Sequence, residues 1–206
     1  LAPAPHRVAI GFRPHSGWAA LVAVAGTPLS PAVLDRRRVE MADPRIRGAA
    51  QPYHAAEGLT LERARELLER CSKTARRLAC VAVSAAVKEL RAQGAEVAGC
   101  GLLLGSGRPL TSLEKTLASH ALIHTADGEH FRDALAYASE SCGLTLLRVK
   151  ERDLPALAAQ QFGRPADELQ RLVGGLGRSI GPPWRQDEKL AALIAWLALA
   201  ESGAPR

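Results

Sequence analysis

At 206 residues the chain fits one domain, or one domain with a small elaboration, and 47% hydrophobic content can build a core without disulfides or metal. Aromatic residues at 4%, with Ala and Leu dominant, exclude a typical β-sandwich and favour closely packed helices. A formal charge of +6, carried more by arginine than lysine, suits an anionic partner such as nucleic acid or a phosphorylated ligand, although a solvated arginine-rich surface has the same composition. Cys71, Cys80, Cys100 and Cys142 match no zinc or redox spacing and read as free thiols in a reducing, cytoplasmic setting. The final helix is the one long apolar run and is too short and Ala-rich to span a bilayer, so no membrane association is expected. With Leu1 first and Met41 the one methionine, the chain reads as processed or trimmed.

The first forty residues predict three strands: His6 to Phe12, Gly17 to Ala25 and Ala32 to Met41. Arg13-Pro14-His15-Ser16 and the Pro-rich Gly26 to Pro31 stretch connect them closely enough for an antiparallel meander. Residues 43–58 form a linker or lid with two prolines and no periodicity. Thr60 caps a long helix over about 61–93, where Leu61, Ala64, Leu68, Cys71, Ala75 and Ala79 share a stripe. Gly94 ends it, and Glu96 to Leu104 is a fourth strand, apolar enough in its second half to be central. Beyond Gly105 to Pro109, Thr111 and Glu114 form a capping box for a helix to about Thr125. Asp127-Gly128 predicts a turn before a second helix, Glu129 to Ser141. Leu144 to Val149 is the fifth strand, residues 150–183 a helical and loop elaboration, and the last helix runs from Trp184 or Arg185 to about Glu201. The order β-β-β-α-β-α-β-α implies a single α/β domain built on a mixed five-stranded sheet with helices on both faces.

That order resembles the ribonuclease H-like superfamily, in particular its Holliday-junction-resolvase branch. AIGFRPHSGWAALVAV is similar to that branch's first hairpin, FRDALAYASESCGLTLLRVKERDL to its helix, fifth strand and acidic turn, and QDEKLAALIAWLALA to its last helix. The resemblance implies a nuclease fold that cuts phosphodiesters with two metal ions held by carboxylates of the first strand, the fourth strand and the last helix. This chain departs from that pattern. The first strand carries Gly11-Phe12-Arg13 and the fourth Gly99-Cys100-Gly101, with Glu96 only at its start. Asp187, beside Glu188, keeps the last-helix position. One acid cannot hold two magnesium ions, so the resemblance implies a degenerate centre.

Candidate site residues follow from spacing and from the fold. His120 and His124, four apart on a helix, project from one face and suit a divalent transition metal, the plainer alternative being half-buried polar residues. Glu129, His130 and Asp133 follow closely, and Glu129 is placed to act as a general base. The resemblance implies that the fold brings His15 and Asp187 toward the same crevice as candidate catalytic groups; otherwise they are a turn histidine and a dipole-stabilised helix-start acid. Arg36 and Arg38 share a face of the third strand opposite Arg37, and with Arg108 and Arg132 they are candidates for anion binding or, in the strand, for blunting an edge. Tyr53-His54 are candidate contacts without a motif, and Gly101 to Arg108 fits neither glycine-rich phosphate fingerprint.

Three readings remain open at this level. The first is a degenerate ribonuclease H-like domain that binds nucleic acid or another anion without two-metal cleavage. The second is a metal-dependent hydrolase using His120 and His124 with His15 or Asp187. The third is a structural domain.

Overall fold

The structure is a computed structural model describing residues 6–27 and 29–202; Pro28 of the second connecting loop and both chain ends, including Leu1, lie outside the described residues. Strands β1 (His6–Pro14), β2 (Trp18–Thr27) and β3 (Ser30–Glu40) form the expected antiparallel meander. β4 (Ala95–Leu104) then pairs parallel to β1, and β5 (Leu146–Lys150) parallel to β4. The sheet order is β3-β2-β1-β4-β5, so β1 and β4 are interior, as their apolar sequences require.

Alternation along β1 divides the core. Val8, Ile10 and Phe12 face α2 (Leu61–Ala92) and α4 (His120–Ser141), which cover one side with Ala75, Ala79, Val83, Phe131 and Leu135. Thr60 caps α2 by accepting from the Arg63 amide, and every third or fourth residue of its stripe is buried. The opposite side belongs to α7 (Gln186–Glu201), every residue of which from Ala191 to Leu199 is buried. A helix buried all round needs cover on its far side. The elaboration supplies it: α5 (Leu154–Phe162) and α6 (Ala166–Leu176) add Leu154, Ala158, Leu169 and Val173, and Phe162 stacks on Trp196 with centroids 4.0 Å apart.

α7 lies unusually close to the sheet. A Cβ on Gly11 would overlap the Ala191 carbonyl oxygen and sit 2.8 Å from the Ala195 amide nitrogen, and one on Gly101 would lie 2.6 Å from Ile194 Cγ1. Ala198 and Leu199 pack on Ala9. α7 therefore runs antiparallel to β1, and its N-terminus falls at the carboxyl end of β1.

Several boundaries differ from expectation for identifiable reasons. The linker is not structureless: it contains α1 (Pro52–Ala56), whose Ala56 is buried against Ala64 and Leu68 of α2. The cap after β4 is Ser112, accepting from the Lys115 amide, and α3 (Leu113–Leu117) is short. The helix break falls at Ala118–Ser119, not at Asp127-Gly128, and α4 is continuous through those residues. Asp127 is buried and bonded to α1 instead of turning the chain. Gly128 makes room for Arg132, since a Cβ there would lie 2.6 Å from Arg132 Nη1. Trp184 precedes α7 and donates its ring N–H to the Val173 carbonyl. Among the described residues no helix is long and apolar enough to cross a membrane.

Gly11→Val forces a branched side chain into the α7 backbone and is expected to destabilise the fold by about 3 kcal/mol, the upper part of the usual overpacking range. Urea unfolding at constant m-value measures it; a loss below about 1 kcal/mol would mean that α7 shifts freely on the sheet.

Candidate functional site

Two polar groupings stand on this frame. The first lies at the carboxyl ends of the parallel strands, where ligand crevices form in α/β sheets. Residues 9, 11 and 13 of β1 share the α7 side, so Arg13 faces the first turn of α7. Its Nη1 donates to Asp187 Oδ1 at 2.5 Å, and its Nε lies 3.2 Å from Glu151 Oε2, just beyond β5. His15 contacts the same guanidinium and places Nε2 3.1 Å from Asp187 Oδ1. The His15 ring is held by stacking on Trp18 at 4.3 Å, and the Arg38 guanidinium carbon stands 3.7 Å from the Trp18 centroid. Asp187 also profits from the positive end of α7.

The two-metal centre implied by the resemblance does not fit these residues. Asp187 and Glu151 are the carboxylates that meet here, and a guanidinium stands between them. β4 offers only Gly101 and buried Leu103 on the same side. A hard divalent pair needs several carboxylates facing one space; a cation built into the chain already neutralises these two.

The second grouping joins α1 to the start of α4. His54, His120 and His124 bring one ring nitrogen each within 4.8 Å of the others. His120 Nε2 and His124 Nε2 are 3.1 Å apart, and the His54 ring centroid lies 4.5 Å from that of His124 and 5.4 Å from that of His120. Behind them, buried Asp127 accepts from the Tyr53 amide at 2.7 Å and from His54 Nδ1.

The candidate residues thus separate. His15 and Asp187 come together with each other, but in the Arg13 grouping. His120 and His124 come together with His54. Glu129 joins neither, its carboxylate holding Arg132 Nη1 at 3.0 Å. Of the four candidate anion-binding arginines, Arg36 donates to the carbonyls of Gly181, Pro182 and Pro183, Arg38 pairs with Glu40, and Arg132 also donates to the Leu103 carbonyl. Arg108 is exposed, with no ion pair among the described residues. Arg13, Glu151, Trp18 and Asp127 carried no motif that would single them out. The four cysteines are free, and burial pushes the Cys100 thiol up to about 11, which makes it a poor nucleophile.

No protein-family model matches the chain, and no curated protein matches it by sequence. Among solved structures it is similar to RuvC of Thermus thermophilus in complex with a Holliday junction substrate, with a TM-score of 0.52 at 16% identity, covering 96% of this chain and 97% of that one. A second Thermus thermophilus RuvC structure gives 0.52 at 14% identity, covering 92% of each chain. At such identities the likeness concerns the fold, and it agrees with the ribonuclease H-like α/β architecture expected from the element order.

Two outcomes follow from this geometry. In a double-mutant cycle, Arg13→Met and Asp187→Asn are expected to couple by about 1–2 kcal/mol in urea unfolding, as contacting charged groups do; additivity would show that the ion pair contributes nothing. The second concerns His130, whose half-buried ring meets Tyr53 and Phe131 edge-on and whose Nε2 is buried without a partner. Burial pushes its pKa below the ordinary 6.5, with Arg76 adding to the effect and Asp127 opposing it. The unfolded chain therefore binds this proton first, and the stability due to neutral His130 is lost as pH falls from about 6.5 toward the folded pKa. His130→Gln is expected to flatten the acid slope of stability across that window; an unchanged slope would remove His130 as its source.

Proposed function

We propose that this ribonuclease H-like domain binds nucleic acid without cutting it by the two-metal route. The observation that carries the reading is the Arg13–Asp187–Glu151 ion-pair group at the crevice where the fold's nucleases gather carboxylates. A guanidinium supplied by the strand neutralises the acids that a metal pair would otherwise need. Binding draws support from the +6 charge and from exposed Arg108 and Lys150, which follow β4 and end β5 at the carboxyl end of these parallel strands and have no ion pair among the described residues. The solved relative in fold was captured with a Holliday junction substrate, which makes four-way DNA the natural first probe.

The test is fluorescence anisotropy with a labelled four-way junction and a duplex of equal length, followed by gel analysis after incubation with magnesium or manganese. Binding is expected to weaken steeply with salt, by roughly 0.9 log unit per tenfold salt for each phosphate neutralised. The Arg108→Glu/Lys150→Glu variant is expected to bind about tenfold more weakly, and the DNA is expected to remain intact. Failure to bind at about 10 μM, well above the usual specific range, would overturn the nucleic-acid half. Metal-dependent cleavage lost on replacing Asp187 would overturn the non-cutting half. Metal-dependent hydrolysis at His120 and His124 is the second reading, favoured by the approach of their Nε2 atoms; His15 and Asp187 cannot serve it while they hold Arg13.

A further inference from the structure

We infer that His54, His120 and His124 form a three-nitrogen site for a divalent transition metal of the zinc type, which clamps the 43–58 segment to α4. The inference is independent of nucleic-acid binding.

Geometry supports it first. Two nitrogens bound to one tetrahedral ion at about 2.0–2.1 Å stand roughly 3.3–3.4 Å apart. His120 Nε2 and His124 Nε2 are already 3.1 Å apart, and all three imidazole donors fall within 4.8 Å of one another. This is the one such His/Cys/Asp/Glu grouping found among the described residues.

The surroundings of His54 are the second observation. Its Nδ1 donates to the buried carboxylate of Asp127, which leaves Nε2 as the nitrogen available to a ligand. A carboxylate behind a histidine fixes the ring orientation and raises the basicity of the outward nitrogen, as it does for metal-bound histidines. The other Asp127 oxygen accepts from the Tyr53 amide, so one buried acid sets both the ring and the helix that carries it. Three neutral imidazoles select zinc, cobalt or nickel over magnesium. Because His120 and His124 are exposed, an ion has a direct route in and keeps a fourth position open to water.

A bound ion would link α1 to α4, two elements distant in sequence. Clamping is therefore read at α1 as well as in the binding signal. The chelator-treated full chain, without an affinity tag, is titrated with zinc chloride by calorimetry and with cobalt chloride by visible absorption. About one equivalent is expected, with the intense visible bands of tetrahedral cobalt and no thiolate charge-transfer band. Zinc is expected to raise the Tm and slow amide exchange across residues 52–56. The His120→Ala/His124→Ala variant, whose replaced side chains are exposed, should keep the metal-free circular dichroism and Tm while losing at least about 100-fold in affinity. Asp127→Asn should lose about 10- to 100-fold, the usual cost of removing an outer partner. Absence of binding to the wild-type chain, binding undiminished in the double variant, or a thiolate band would each overturn the proposal. Binding without any effect on exchange at 52–56 would overturn the clamp.

Discussion

The arrangement depends on how closely α7 approaches the sheet. Its backbone rests where Gly11 and Gly101 carry no side chain, and small residues on both partners let the helix lie almost in contact with the strands. Dispersion and apolar burial both gain from so short a separation. In the observed register between α7 and β1, Ala191 and Ala195 lie over Gly11. Asp187, one turn before Ala191, is then carried to the carboxyl end of β1, where Arg13 stands on the same face. The elaboration of α5 and α6 completes this layer, since α7 is apolar on all sides and would otherwise expose Trp196 and Leu193.

Within that frame the side chain at the end of β1, Arg13, governs the charge of the crevice. A carboxylate at this position would repel Asp187 and Glu151 unless cations shared the site. A guanidinium pairs with both acids through a planar fork. His15, Trp18 and Arg38 extend the same arrangement as a stacked row along the meander.

The histidine grouping has another origin. His120 and His124 meet because helix geometry places residues four apart on one face, which their spacing already declared. His54 reaches them because Asp127 is buried in the middle of a continuous helix and holds the Tyr53-His54 pair. In sequence, Asp127-Gly128 has the composition of a turn, and reading it so separates α4 into two helices and leaves the preceding linker without an anchor. The competing effects are tertiary. Burial of Asp127 against α1 and the space that Gly128 gives Arg132 outweigh the local turn preference.

Periodicity and composition alone determined the strand order along the chain, the meander, the long α2 and the central place of β4, and residue identity shows β1 without an acid and β4 with Glu96 only at its start. These are local or near-local properties, written in alternation, caps and residue identity. Beyond the His120/His124 pair, which helix spacing supplies, tertiary structure decided which polar groups meet. His15 and Asp187 are distant in sequence and come together only through the α7 packing; the same packing gives them Arg13 as partner and keeps them from His120. His54 joins the helical pair only because a linker folds back on one buried carboxylate. Such contacts depend on long-range closure, for which no spacing along the chain provides a signal.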